Sequence, residues 1–353
     1  MSDYDYLNAR VRGMSTLLLG REFFERVLQA STEAALADAL LATPYAEDMQ
    51  RVMAAHAGAV DTQALETALS ANVHAAFSKI LAMAPPEPRR LVALQVNRWD
   101  VANVLALVRG KVSGSGPREL FAAVLPIGEL DEVQLGELSA EIDVMNLADA
   151  LPTWKHAFAF ALRRAIRECT EKEDMAALES ALYRGWFQWA LSQLTAEDPG
   201  HGPARESLRR QIDLVNVQAA LELVRDRARG GAREKIEPVP GGKLPWGLLA
   251  ELAACDTLVT AFEMLGGTYF APGIGRGILA YGQAQSLAVM ERFLESVVIE
   301  HGCRLFRLDV LSAAVPLGYV WRKYSELVNL RLLVRGIRYG MPANAIREGM
   351  ILV

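Results

Sequence analysis

Asp100-Val101-Ala102-Asn103-Val104 recurs as Asp213-Leu214-Val215-Asn216-Val217, and again as Glu326-Leu327-Val328-Asn329-Leu330. The asparagines are separated by the same step twice, 216 − 103 = 113 and 329 − 216 = 113. A period this long constrains architecture before any residue is assigned chemistry. Each segment also reads as a helix. Val101, Val104 and Val108 match Leu214, Val217 and Leu221, then Leu327, Leu330 and Val334, a spacing that lays one apolar stripe along a helical face. The asparagine sits at the edge of that stripe. It is a poor helix-interior residue, and a buried amide left unpaired costs about 1–3 kcal/mol. Asn103, Asn216 and Asn329, with Asp100, Asp213 and Glu326, are therefore expected to be framework residues, each amide satisfied by a neighbouring helix or loop.

Other elements keep nearly the same period. Leu36-Ala37-Asp38-Ala39-Leu40 returns as Leu147-Ala148-Asp149-Ala150-Leu151 and, degraded, as Leu258-Val259-Thr260-Ala261-Phe262. Between these markers, Ala64-Leu65-Glu66 with Leu69 returns as Ala177-Leu178-Glu179 with Leu182, then as Val289-Met290-Glu291 with Leu294. Proline-rich segments at 84–88 and 198–203 precede the first two asparagine helices, and Pro316 takes that place before the third. Glycine-rich connections follow at 113–117, at Gly230-Gly231 and at 238–242. No run alternates apolar and polar residues as a strand would. The expectation is an all-α chain built by triplication, with units at 1–113, 114–231 and 232–353.

Composition agrees with that class and excludes others. The 353 residues are 52% hydrophobic but only 7% aromatic, a palette dominated by Ala, Leu and Val that suits helices better than a β-sandwich. A net charge of −5 without a basic stripe argues against nucleic acid. Cys169, Cys255 and Cys303 form no CxxC or metal-spaced pair, which points away from disulfides and zinc and toward a reducing compartment. No signal peptide is visible. The most apolar stretch, Leu308 to Trp321, contains Asp309 and Pro316 and is shorter than the roughly 20 residues a bilayer span takes. Contact with a membrane is thus expected to come through a partner.

The C-terminal run Pro316-Leu317-Gly318-Tyr319-Val320, Lys323, Glu326, Asn329-Leu330-Arg331 and Arg335-Gly336 resembles the C subunit of the A/V-type rotary ATPases, known in eukaryotes as the d subunit. Gly340-Met341-Pro342, Ile346-Arg347-Glu348 and the opening Tyr6-Leu7-Asn8-Ala9-Arg10-Val11-Arg12 are similar to the same family. The resemblance implies a non-catalytic coupler: three helical domains in a pseudo-threefold funnel, seated on the membrane proteolipid ring. Its socket would receive the shaft made by subunits D and F, one copy per complex, at the cytoplasmic face. Arg109, Arg331 and Arg335 are candidate partner contacts. The second unit carries Glu222 where the others carry Arg109 and Arg335, with Arg225 three positions later, a divergence expected if the shaft is not threefold.

Catalytic and cofactor chemistry finds no anchor. Gly273-Ile274-Gly275-Arg276-Gly277 is not GxGxxG and reads as a flexible or closely packed loop. No GxxxxGK[ST] occurs, so no nucleotide site is expected. His56, His74, His156, His201 and His301 match no HExxH or GxSxG context. The acidic run from Glu168 to Asp174 and the basic group Arg225, Arg227, Arg229 and Arg233 read as solvated helix surface, and Trp186, Phe187 and Trp189 as packing. No catalytic, cofactor-binding or metal-ligating residue is assigned. A generic helical scaffold or adaptor is the second reading, distinguished from the coupler by its partners, and an all-α enzyme the third.

Overall fold

The computed structural model describes residues 4–30, 32–55, 60–154, 159–170, 175–195, 198–230 and 237–352. Their regular structure is helical, without a strand among the described residues. In chain order the α-helices are α1 (Asp5–Ser15), α2 (Arg21–Val27), α3 (Glu33–Leu41), α4 (Ala46–Ala55), α5 (Thr62–Met83) and α6 (Pro86–Val112). They continue as α7 (Pro117–Ala123), α8 (Glu132–Ala140), α9 (Val144–Ala150), α10 (Ala159–Thr170), α11 (Met175–Ser192) and α12 (Gly202–Ala228). The last are α13 (Trp246–Ala254), α14 (Leu258–Leu265), α15 (Ala271–Ala284), α16 (Leu287–Leu305), α17 (Ala314–Arg338) and α18 (Ala343–Glu348).

The asparagine segments lie in the long helices α6, α12 and α17, and each opens on proline. Pro86 and Pro88, Pro203 and Pro316 all sit in first helical turns rather than ahead of them. The leading N–H groups of a helix have no intrahelical acceptor, so proline costs nothing there and its fixed φ favours the helix.

The chain divides into two compact units, one of Met1–Val104, Phe121–Glu137 and Gly302–Val353, the other of Leu105–Leu120 and Leu138–His301. In the first, α17 packs on α1, α3, α5 and α18. The start and end of the chain therefore share one core, with Leu7, Leu36, Phe77, Trp99, Tyr319 and Leu330 in a single cluster. Phe77 stacks on Trp99 at 5.3 Å. Gly318 of α17 lies so near residue 306 that a Cβ would come within 2.1 Å of the Phe306 nitrogen. In the second unit α12 packs on α11, α13 and α14, and α10 on α11.

Helix caps correct the register of one marker. Thr32, Asp143 and Thr257 each accept the N–H three residues on, at 3.2, 2.8 and 3.2 Å, and so start α3, α9 and α14. Counting from these caps, Leu36, Ala37 and Leu40 correspond to Leu147, Ala148 and Leu151 and then to Ala261, Phe262 and Leu265, all buried. The third copy of the marker is therefore 261–265, and its acidic residue is Glu263 rather than a loss to Thr260.

The glycine run 273–277 is a helix, not a loop: it lies inside α15, with Pro272 in the first turn. A Cβ on Gly273 would meet the Phe293 carbonyl oxygen at 2.6 Å, and one on Gly277 the Phe293 ring at 2.8 Å. Close packing on α16 offsets the low helix propensity of glycine. Among the described residues the helix long and apolar enough for a bilayer is α6, not the stretch from Leu308. Its best 18-residue window has mean hydropathy 1.2 and is 78% buried, as in the core helix of a folded domain.

Candidate functional site

Each asparagine closes a two-way hydrogen-bonded pair with one backbone residue. Asn103 Nδ2 donates to the Leu125 carbonyl at 2.7 Å, and the Leu125 N–H donates to Asn103 Oδ1 at 2.7 Å. Asn216 does the same with Val239 at 2.9 and 2.7 Å, and Asn329 with Ile351 at 2.9 and 2.8 Å. A side-chain amide has one donor face and one acceptor face, so it can complete both polar groups of an extended residue as a neighbouring strand would. All three asparagines are buried.

The acid one turn earlier holds the segment that follows. Asp100 accepts the Glu129 N–H at 2.8 Å and the Leu130 N–H at 3.1 Å. Asp213 accepts from Lys243 N at 2.9 Å and Leu244 N at 3.1 Å. A spacing of three puts acid and amide on one helical face, so together they hold both ends of the passing segment. The gripped segments are Leu125-Pro126-Ile127-Gly128-Glu129-Leu130 and Val239-Pro240-Gly241-Gly242-Lys243-Leu244. Their glycines are obligatory: a Cβ on Gly128 would lie 1.8 Å from Asp100 Oδ1, and one on Gly242 2.1 Å from Asp213 Oδ1.

The third latch is assembled from distant parts of the sequence. Glu326 accepts the Leu19 N–H through Oε2 and the Tyr45 hydroxyl through Oε1, the latter at 2.6 Å. Here Leu18 stands where the other segments have Gly128 and Gly242, and a glutamate replaces the aspartate. Lys323 Nζ meets Glu326 Oε1 at 2.6 Å and the Tyr45 hydroxyl at 3.1 Å, all three side chains buried. Tyr269 donates to Asp213 Oδ2 at 2.7 Å in a related contact, with the Arg210 guanidinium 4.4 Å from its ring.

Burial sets the electrostatics. It pushes the Asp100 carboxyl well above the usual range, against the two backbone N–H groups that favour the anion. Asp213 is raised by burial too, with Tyr269 and the Leu244 and Lys243 N–H groups opposing. Burial and then the Glu326 charge hold the Tyr45 hydroxyl well above its ordinary value, so it stays a donor.

The candidate contact arginines are engaged within the chain. Arg331 Nη2 reaches Glu66 Oε2 at 3.0 Å and Arg335 Nε reaches Glu66 Oε1 at 3.6 Å. Arg109 pairs with Glu179. Arg109 and Arg335 keep 54% and 57% of their side chains exposed, enough to face a partner as well. Glu222 instead lies near Arg225 and Glu179, its carboxyl raised chiefly by partial burial.

Other residues marked in the sequence have structural roles. Arg227 is no solvated charge: it donates to the Cys255 and Ala253 carbonyls at 2.9 and 2.8 Å, closing the end of α13. Its neighbour Arg225 pairs with Asp226 at 2.9 Å. Trp186 and Phe187 are buried edge to face, 4.5 Å apart. His201 is buried, its Nδ1 accepting the Thr195 N–H at 3.0 Å, while His56 and His156 lie outside the described residues. So do Arg233 and the run 171–174. Among the described residues no group of three or more His, Cys, Asp or Glu side chains could hold a metal. The latches fix backbone: their side chains are engaged with N–H and carbonyl groups of neighbouring segments.

Comparison with known proteins agrees with a structural role. The family profile described as ATP synthase (C/AC39) subunit matches residues 7–349. The C subunit of a V-type ATP synthase from Deinococcus radiodurans is 27% identical over 346 residues, covering 98% of this chain and 90% of the relative. The C subunit of an A-type ATP synthase from Halorubrum lacusprofundi is 26% identical over 357 residues, covering 99% and 98%. Its counterpart from Thermococcus kodakarensis is 23% identical over 349 residues, covering 98% and 89%. The chain belongs to the ATP synthase (C/AC39) subunit family, whose members are structural, non-catalytic components of the A/V-type rotary ATP synthases.

Proposed function

We propose that this chain is the central-stalk coupler of its complex, joining the rotor shaft of subunits D and F to the membrane proteolipid ring. It works as a single copy at the cytoplasmic face, peripheral to the membrane, and carries torque for ATP-linked proton or sodium transport. Its three helical units, 1–113, 114–231 and 232–353, form a pseudo-threefold funnel whose socket receives the shaft.

The observation that carries this reading is the recurrence of one latch. Asn103, Asn216 and Asn329 hold residues 22 or 23 positions further on by the same two hydrogen bonds. Glu66 and Glu179 each meet an arginine from an asparagine helix, α17 and α6 respectively. A coupler must transmit load without yielding, and buried two-point latches between long helices and the segments that follow them suit that demand. Repeat units and packing units are different divisions of the chain, the first by sequence period and the second by contact.

Co-purification tests the proposal. Tagged chain should bring down both a D–F shaft and a detergent-solubilised proteolipid ring. Capture of neither would overturn it in favour of a scaffold outside the rotor.

A further inference from the structure

The connection between α16 and α17 presents Leu308, Val310 and Leu311 with 68%, 55% and 61% of their surface exposed. It is the same apolar stretch that composition singles out, and the latches make no use of it. Its backbone is held rather than loose. Asn8, itself buried, donates Nδ2 to the Val310 carbonyl at 2.9 Å and to the Ser312 carbonyl at 3.1 Å. Asp309, itself exposed, ties the turn, its Oδ1 accepting the Leu311 N–H at 3.0 Å. The three aliphatic side chains therefore project from a braced turn.

Arginines ring the base of that turn. Phe306 lies beneath two guanidinium groups, Arg12 at 5.4 Å and Arg322 at 4.8 Å from its ring centre. Arg304 and Arg307 are exposed on either side of it in sequence. The acids nearby in sequence are Asp309, hydrogen-bonded to the backbone, the half-buried Asp5 one turn before Asn8, Glu300, which pairs with Arg276, and the buried Glu326, which pairs with Lys323. The patch is thus cationic around an apolar tip. Guanidinium matches phosphate in charge and in planar, two-pronged geometry. Aliphatic side chains below a ring of cations are what interfacial membrane elements bury at the boundary of head groups and acyl chains.

We propose that residues 304–312, with Arg12 and Arg322, form a direct contact for an anionic lipid surface. Leu308, Val310 and Leu311 enter the head-group boundary while the arginines bind lipid phosphates. The chain then meets the membrane itself, contrary to the sequence-based expectation that a partner mediates all such contact. The contact belongs to the isolated chain and stands or falls independently of the rotor assignment.

The test is flotation of the purified full-length chain with vesicles of phosphatidylethanolamine and phosphatidylglycerol, against vesicles of phosphatidylcholine alone. Binding to the anionic vesicles is expected, weakening at least tenfold between low and half-molar salt, because exposed charges are screened. L308S/V310S/L311S and R304Q/R307Q should each reduce binding about tenfold or more while leaving the melting temperature unchanged. Absence of binding to anionic vesicles overturns the proposal, as does binding that neither variant weakens. Should the triple-serine variant bind vesicles normally yet lose a detergent-solubilised proteolipid ring, the tip is a protein contact and the lipid assignment is wrong.

Discussion

Replacing Asn216 with alanine removes both hydrogen bonds to Val239 and leaves the N–H and carbonyl of that residue buried without partners. Each orphaned group costs about 1–3 kcal/mol, so the gross penalty is about 2–6 kcal/mol. Alanine regains roughly 0.6 kcal/mol of helix propensity, and some relaxation lets water reach Val239. A net loss of about 2–4 kcal/mol is expected. Aspartate at 216 should be no better, because its carboxylate would face the Val239 carbonyl. Urea unfolding gives the midpoint shift, and a chain of this size calls for a local probe as well, since two-state behaviour is not assured. Amide exchange at Val239 and Lys243 should accelerate at least tenfold, while α9–α10 should be much less affected. Because Asn103 and Asn329 make the same pair at nearly the same distances, their alanine variants should cost the same within about a factor of two. A change under about 0.5 kcal/mol, or exchange unchanged at Val239, would refute the latch as a structural fixture.

Further outcomes follow from the same geometry. Gly242→Ala should destabilise by more than about 2 kcal/mol by driving a methyl into Asp213, and combining it with D213A should recover part of the loss. Lys323→Met leaves Glu326 buried without its cation and should cost about 3–5 kcal/mol in urea unfolding. Asp100 makes stability pH-dependent. Its folded pKa lies above the unfolded value, so its contribution is full below about pH 4 and is lost as pH rises through the folded value. The stability difference between wild type and D100N should therefore shift against wild type over that window, and a flat difference would contradict the buried-acid account. Glu222→Arg places at α12 the charge found at Arg109 and Arg335. It also sets a cation beside Arg225 and Arg109, and should lower stability by up to about 1 kcal/mol at low salt, an effect that high salt removes.

The asparagine helices were legible because a polar residue at a fixed place on an apolar stripe recurs at one period, and helix burial follows that stripe. Their partners were not. Gly128 and Gly242 look like ordinary turn residues until Asp100 and Asp213 are seen to fill the space their side chains would take. A second reading of apolar-Pro-x-Gly-x-Leu at 125–130 and 239–244, spaced by 114, could have found them. The third latch hides better, since Leu19, Tyr45, Lys323 and Glu326 share no local motif and meet only through packing of α17 on the start of the chain. Matching by period placed the third Leu-Ala-Asp-Ala-Leu copy three residues early, because apolar matches at 258–262 outweighed the cap at Thr257. It also misread 273–277 as a loop, since helix propensity ignores the Phe293 contact that glycine alone permits.

The central claim, a coupler between shaft and ring, is tested most directly by photo-cross-linking in the intact ATP synthase from the exposed positions Arg109, Glu222 and Arg335. The account predicts one copy of this chain per complex, with covalent adducts to a shaft protein and to a proteolipid from different members of this set. Adducts to neither, in a complex that still hydrolyses ATP, would contradict it.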